Sequence, residues 1–155
     1  TAPDARAYDY FGYSVALSGD YALVGAPWED AGGSGAGAAY IFYRTGINSW
    51  DSGTKLLAPD TQAGDYFGYS VAISGDYALV GAEEEDAGGG NAGAAYIFYR
   101  TGINSWDGGT KIVAPDAQAD NLFGRSVAIS GDYAVVGAPW EDAGGGEAGA
   151  AYVFK

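Results

Sequence analysis

The sequence predicts an all-β chain made of three copies of one four-stranded unit, and three observations lead to this prediction. Phe-Gly pairs recur at an interval of 56 residues, beginning at Phe11, Phe67 and Phe123. The chain also contains 27 glycines and 13 tyrosines but few charged residues, which favours short strands and tight turns over helices. Finally, the predicted strands are apolar at both alternate positions, so both faces of each sheet are expected to be covered.

Four strands are predicted in each copy, and in the middle copy they are Tyr69–Ser74, Tyr77–Ala82, Ala94–Tyr99 and Thr110–Ala114. Gly75-Asp76 is a two-residue turn of the kind that closes a β-hairpin, so the first two strands are expected to pair antiparallel. An acidic, glycine-rich connection follows the second strand, and a connection that contains a tryptophan follows the third. Each copy is therefore expected to be a four-stranded antiparallel meander.

Sheets that are covered on both faces pack between two neighbours, as blades do around the axis of a β-propeller. A β-solenoid is the alternative, but its repeats are usually much shorter than the interval seen here. We predict a single propeller module, 1–155, with units at approximately 3–58, 59–114 and 115–155. The last unit lacks its outer strand, so eleven full strands are expected in the chain.

The string FGYSVALSGDYALVGAP, from Phe11 to Pro27, is followed by AGAAYIF from Ala36 to Phe42. This combination resembles the FG-GAP repeats of integrin α-subunit propellers, and most of all the bacterial variety with a shortened first hairpin. The resemblance implies blades of four antiparallel strands, a secreted or cell-surface location, and a role in adhesion or protein recognition. Such repeats commonly carry a calcium loop of the form D-x-D-x-D-G, whereas this first turn is only Ser18-Gly19-Asp20. One carboxylate cannot supply the roughly six to eight oxygen ligands of calcium, so that site is expected to be absent.

The composition excludes several classes of function. Cysteine, methionine and histidine are absent, which excludes disulfides, zinc sites of the Cys/His type and acid–base catalysis by histidine. The formal net charge of −13 argues against nucleic acid or anionic lipid as a partner, and no apolar stretch is long enough for membrane insertion. No serine has a histidine or lysine base beside it, and no phosphate-binding loop is present, so we expect no enzyme activity.

Carboxylates cluster in the loops at one rim of the predicted blades, opposite the rim that carries Arg44 and Arg100. Crowded carboxylates repel one another and favour a divalent cation or a basic partner. Calcium is therefore the one candidate cofactor. The alternative is that these side chains are solvated loop charges that keep an aromatic-rich protein in solution. The candidate ligands are Asp9, Glu29, Asp30, Asp65, Glu85, Asp86, Asp120, Glu141 and Asp142.

Aromatic side chains are candidates both for binding and for the core. Trp28 and Trp140 are candidates for exposed platforms that stack on a glycan or contact another protein. The alternative is that each packs over the apolar base of its own loop. Trp50 and Trp106 lie beside a turn, where they either pack on the outer hairpin or contact a partner. The phenylalanines expected in the core are Phe11, Phe67 and Phe123.

Three blades are too few to close a propeller, since known propellers contain about four to eight. Two blade faces without neighbours and one open strand edge favour association of the chain with itself. We expect two copies to close a six-bladed ring, because nearly identical repeats let a contact between chains copy the contact within a chain. A helical filament built from this structural subunit and a fragment of a longer repeat protein are the alternatives.

The predicted function is accordingly a non-catalytic one. We expect an extracellular binding, adhesion or scaffolding module that contacts itself and another extracellular protein or a glycan. A calcium-dependent propeller and a glycan-binding propeller remain alternatives at this stage.

Overall fold

The computed structural model describes residues 1–155, in which thirteen strands form three antiparallel sheets and no helix occurs. The first blade contains β1 (Val15–Ser18), β2 (Tyr21–Ala26), β3 (Ala38–Gly46), β4 (Ser49–Trp50) and β5 (Thr54–Leu56). The middle blade contains β6 (Ser70–Ser74), β7 (Tyr77–Ala82), β8 (Ala94–Gly102), β9 (Ser105–Trp106) and β10 (Thr110–Ile112). The third blade contains β11 (Ser126–Ser130), β12 (Tyr133–Ala138) and β13 (Ala150–Phe154). The all-β prediction is confirmed, and the three sheets are consistent with β-propeller blades. No segment is a long apolar helix that could span a membrane.

The connection after the third strand of each complete blade contains a short strand that the sequence did not predict, β4 in the first blade and β9 in the middle blade. In the first blade β4 and β5 pair with different parts of β3. Asp51 lies between them, and its Oδ1 accepts the N–H groups of Tyr43 and Gly53, each at 3.0 Å. This side chain therefore takes a hydrogen bond that a ladder partner would otherwise make, and the chain has thirteen strands instead of eleven.

The blades stack through their inner strands, with β1 against β6 and β6 against β11. At equivalent positions, two serine hydroxyl groups donate hydrogen bonds across the boundaries between neighbouring blades. Ser14 Oγ donates to the carbonyl of Gly68 at 2.8 Å, and Ser70 Oγ donates to the carbonyl of Gly124 at 2.6 Å. A Cβ built on Gly81 would lie 2.0 Å from that same Gly124 oxygen. Only glycine at this position permits so close an approach of the two backbones.

The hydrophobic core lies between the blades. Leu23 and Ile41 of the first blade pack with Phe67 and Phe98 of the middle blade in the larger cluster. A second cluster joins the middle and third blades, and Phe123 is fully buried in it. The middle blade is thus covered on both faces, whereas each outer blade is covered on one.

The first of the Phe-Gly phenylalanines differs from the other two in burial. Phe67 and Phe123 have no exposed surface, and each lies against a tyrosine ring at 5.4–5.5 Å. Phe11 makes the same contact with Tyr40 but is only half-buried, because no second blade covers it in the structure.

The glycine at the boundary between blades gives the first testable prediction. Gly81→Ala places a Cβ against the Gly124 carbonyl and should lower the free energy of unfolding by about 3 kcal/mol, measured by urea denaturation. Gly108→Ala is the matched control, since no atom lies within 4 Å of its Cβ position and its φ is not positive. Equal effects of the two substitutions would show that the blades do not meet at Gly81.

Candidate functional site

The long loops after the second strand of each blade share one rim with the connections between blades. In the first two blades this is fixed by backbone bonds, since the Phe67 N–H donates to the Ala36 carbonyl at 3.0 Å and the Phe123 N–H to the Ala92 carbonyl at 2.9 Å. We call this end of the molecule the acidic rim, and define it as residues 27–37, 83–93 and 139–149 with connections 1–12, 57–68 and 113–124.

A buried glutamate organises each of the long loops on the acidic rim. Glu29, Glu85 and Glu141 are only 2–3% exposed. Each accepts the backbone N–H of the residue two positions later, at 2.9–3.0 Å. The carboxylate therefore closes a turn, as Asp and Asn side chains commonly do in loops.

The aspartate that follows each glutamate closes the same loop at its far side. Asp30, Asp86 and Asp142 accept backbone N–H groups five residues further along the chain, at 2.6–2.9 Å. Each of these carboxylates is therefore engaged with the backbone of its own loop.

A lysine neutralises the buried glutamate in the first blade. Lys55, on β5, places its Nζ 2.8 Å from carboxylate oxygens of both Glu29 and Asp4. Asp4 also accepts the hydroxyl of Tyr40 at 2.7 Å. Burial alone would lower the pKa of Lys55, but the hydrogen bonds to Asp4 and Glu29 raise it above its ordinary value, so the ammonium stays charged.

The middle blade repeats this network and the third blade lacks its lysine. Lys111 pairs with Glu85 and, at 2.8 Å, with Asp60, which accepts the Tyr96 hydroxyl at 2.8 Å. In the third blade the Tyr152 hydroxyl still donates to Asp116 at 2.6 Å. Glu141 and Asp116 make no ion pair in the structure, which ends at Lys155, before the position equivalent to Lys111.

The residue before each Tyr-Phe-Gly or Leu-Phe-Gly segment is buried at the boundary between blades. Asp9 accepts the N–H of Arg6 and Asp65 that of Gln62, both at 2.8 Å, and each is 4% exposed. In the third copy the equivalent residue is Asn121, which is 3% exposed and whose Nδ2 has no partner. The grouping of Asp120 with the two aspartates was therefore wrong. Asp120 is exposed one position earlier, and the 56-residue interval itself identifies Asn121.

The carboxylates of the acidic rim do not assemble into a metal site. No group of three or more carboxylates in the chain is arranged to hold a metal ion. The physical reason is that backbone N–H groups or lysines already occupy most of the oxygens that a cation would need. The structure thus adds no support to the calcium hypothesis, which stays a prediction for its nine candidate ligands: Asp9, Glu29, Asp30, Asp65, Glu85, Asp86, Asp120, Glu141 and Asp142.

Two of the four tryptophans pack across a boundary between blades. Trp28 lies half-buried against Tyr66 of the next blade, with ring centroids 5.5 Å apart. Trp106 meets Tyr21 of the preceding blade edge-on at 6.0 Å. Trp50 and Trp140 are the equivalent residues at the two ends of the chain, and they are 41% and 48% exposed.

The end faces of the molecule are apolar and open. On the first blade Val15 and Leu17 are 70% and 72% exposed, whereas their equivalents in the middle blade, Val71 and Ile73, are 9% and 7% exposed. The face of the third blade also exposes large side chains: Tyr133, Val135 and Val153. The same residue types are thus core inside the chain and surface at its ends.

Three sheets that stack face to face through their inner strands define a repeat protein built from β-propeller blades. A family model described as the FG-GAP repeat matches residues 1–42, 50–98 and 106–154. The chain belongs to the FG-GAP repeat family, as the sequence predicted, and these repeats indicate a β-propeller binding module. No curated protein matches the chain in sequence.

Asp65 gives a prediction on pH dependence. Burial raises the pKa of Asp65 to about 6, and the Glu85 and Asp60 charges add to the rise, against a hydrogen bond from Gln62 and the charge of Lys111. The unfolded chain releases this proton near pH 4, so the folded state binds more protons between about pH 4 and 6. The free energy of unfolding therefore falls as the pH rises through that interval. Asp65→Asn should remove this decrease and stabilise the protein at pH 7 by about 2 kcal/mol.

Urea denaturation at pH 4, 5, 6 and 7 measures this effect. The matched control is Asp120→Asn, because Asp120 is exposed on the same rim and one position from the buried site. If the free energy of unfolding of Asp65→Asn decreased with pH as steeply as that of the wild type, Asp65 would not be the group with the raised pKa.

Proposed function

We propose that the chain is a non-catalytic extracellular scaffolding or adhesion module whose two end faces bind each other, so that two copies close a ring of six blades. One observation carries the proposal. The contacts between the first and middle blades recur between the middle and third blades, and both halves of this contact set are exposed at the ends of the chain.

The polar contacts across the boundary illustrate this recurrence. Gly75 N–H donates to Ser18 Oγ at 3.1 Å, and Gly131 N–H donates to Ser74 Oγ at 3.2 Å. Ser130 occupies the equivalent position on the third blade, and Gly19 occupies the equivalent position on the first. A second copy placed against the third blade brings these two groups together in the same geometry.

The exposed tryptophans fit the same contact. In the proposed ring, Trp140 of one copy meets Tyr10 of the other, as Trp28 meets Tyr66 within the chain. Trp50 likewise meets Tyr133 of the other copy. This arrangement covers aromatic surface that otherwise faces water and supplies the large side chains that dominate interface energies.

The apolar end faces supply the driving force. Val15 and Leu17 become as buried as their equivalents only when another blade covers them. Large exposed apolar patches are typical of interaction sites. Ring closure by two copies covers both faces of each copy, and six blades lie within the range of about four to eight that propellers use.

The proposed ring presents the acidic rims of both copies on one side. Each chain carries a net charge of −13. A surface of this charge fits a basic region of another protein, whose association it would accelerate. The extracellular location is supported by the resemblance to integrin-type repeats, and fractionation of the producing cells tests it.

Solution mass is the test of self-association. Light scattering after size exclusion should give about twice the 15.8 kDa mass of one chain. Leu17→Glu places a charge in the end face of the first blade and should give a folded monomer. Val113→Glu is the matched control, since Val113 is 37% exposed next to the outer strand of the middle blade, and this variant should keep the wild-type mass.

The alternatives give different masses. A stable wild-type monomer, or a Leu17→Glu variant that keeps the wild-type mass, would overturn the proposal. A much larger and polydisperse mass would show that the end faces bind without closing a ring, which is the behaviour of a filament subunit.

A further inference from the structure

Four aromatic rings line a cleft on the acidic rim, over the first blade and its boundary with the middle blade. The centroid of the Trp28 ring lies 4.9 Å from that of Tyr10, 5.2 Å from that of Tyr13 and 5.5 Å from that of Tyr66. Trp28 and Tyr66 are each half-buried, so part of their surface stays accessible. The cleft has a volume of about 570 Å³, which is within the range of ligand-binding clefts.

The chemistry of this cleft favours a cation. The faces of aromatic rings are negative, and they attract a cation that lies within about 6 Å of the ring centroid. Asp30 also lines the cleft, and its exposed carboxylate is held in place by the Gly35 N–H, which donates to Oδ1 at 2.9 Å. No lysine or arginine lines the cleft. The net charge of −13 adds an attraction for cations over the whole chain.

The third blade shows which cation such a surface accommodates. It has the equivalent tryptophan, Trp140, but Arg125 stands at the position of Tyr13. The guanidinium carbon of Arg125 lies 5.3 Å from the centroid of the Tyr69 ring and 6.0 Å from that of the Trp140 ring. The same guanidinium lies 2.7 Å from a carboxylate oxygen of Glu83. A guanidinium on aromatic faces and beside a carboxylate is therefore already part of the acidic rim.

The cleft around Trp28 contains the same two components without an arginine. Its rings supply the aromatic faces, and Asp30 supplies the carboxylate. An arginine side chain fits these components better than a lysine side chain does. The guanidinium is planar and weakly hydrated, so it stacks on aromatic rings, whereas the ammonium is a compact and strongly hydrated charge.

We propose that the cleft around Trp28 is a binding site for an arginine side chain in a basic segment of another protein. The guanidinium stacks on the aromatic faces of the cleft, and Asp30 supplies the opposite charge. This inference rests on one part of the proposed function, the basic partner of the acidic rim, and gives that partner a recognition residue. It does not depend on ring closure, because residues of a single chain form the cleft.

A short peptide tests the site directly. The probe is acetyl-Ala-Arg-Ala-amide, titrated into the full isotope-labelled chain at low ionic strength, and the NMR signals of the Trp28 indole and the Gly35 N–H are the readout. We expect saturable shifts of both signals. The same peptide with citrulline keeps the shape of arginine without its charge, and should bind at least about fivefold more weakly. The peptide with lysine should also bind more weakly than the arginine peptide.

Protein variants with matched controls locate the site. Trp28→Leu removes the central ring but keeps an apolar side chain, and should weaken the arginine peptide at least about fivefold. Its control is Trp50→Leu, which changes an exposed tryptophan on the opposite rim and should leave binding unchanged. Asp30→Asn should weaken the peptide about threefold, as expected for an exposed ion pair. Asp86→Asn is its control, because Glu84 stands in place of the tryptophan in that loop.

The outcomes separate this site from the end faces. No saturable binding, or equal affinity for the arginine peptide and either the citrulline or the lysine peptide, would overturn the proposal. Equal losses for Asp30→Asn and Asp86→Asn would also overturn it, because they would show attraction to the net charge alone. Should Trp28→Leu fail to fold, the peptides on the wild-type chain and the two aspartate variants still decide the question.

The Leu17→Glu chain distinguishes a failure of this site from a failure of the ring. Leu17 lies on the end face of the first blade, so this variant should bind the arginine peptide with unchanged affinity. A wild type that has twice the mass of one chain but does not bind the peptide would contradict the arginine site and leave ring closure standing.

Discussion

The close approach of neighbouring blades at paired glycines is the constraint on which the rest of the structure depends. A Cβ on Gly25 would lie 2.0 Å from the Gly68 carbonyl, and a Cβ on Gly81 would lie 2.0 Å from the Gly124 carbonyl. Gly68 and Gly124 have φ near +94°, a backbone conformation that favours glycine and directs those carbonyls toward the neighbouring blade. With the backbones in contact here, the aromatic side chain of the adjacent Phe67 is enclosed between two sheets. The Phe-Gly pair thus joins a close backbone contact to a large buried ring.

This contact also determines the chemistry of the acidic rim. The loop after each second strand must turn back toward the next blade, and its glutamate and aspartate stabilise that turn through backbone hydrogen bonds. Lysines from the outer strands neutralise the glutamates in the two complete blades. Removal of one partner of such a buried pair is strongly destabilising in general. In the third blade Glu141 keeps the same backbone hydrogen bond, from the Ala143 N–H at 2.9 Å.

The repeat made the strands, the blades and their stacking predictable, because each apolar strand recurs at one interval and is covered on both faces. The short strands β4 and β9 were not predicted, because each contains only two residues within a connection that has the composition of a turn. The burial of Glu29 and Glu85 was missed because an acidic, glycine-rich loop has the composition of a solvated one. A signal was nevertheless present, since Lys55 and Lys111 occur at equivalent strand positions in a chain with few basic residues. The repeat interval places Asn121, and not the adjacent Asp120, at the position of Asp9 and Asp65.

The two boundaries between blades differ in the residues that form them. At the boundary between the middle and third blades, Arg125 stands where the other copies have tyrosine, and Glu83 stands where they have proline. The Arg125 guanidinium lies 2.7 Å from a carboxylate oxygen of Glu83. At the boundary between the first and middle blades the contact is aromatic instead. The ring centroids of Tyr13 and Tyr69 are 4.9 Å apart, and Trp28 packs beside Tyr66. The exposed ends of the chain carry Tyr13 on the first blade and Trp140 on the third, where the Arg125 guanidinium lies 6.0 Å from the centroid of the Trp140 ring. A ring closed by two chains would contain two ion-paired boundaries, one within each chain, and the Arg125–Glu83 pair would favour the contact between the middle and third blades, because the other copies carry proline at the position of Glu83.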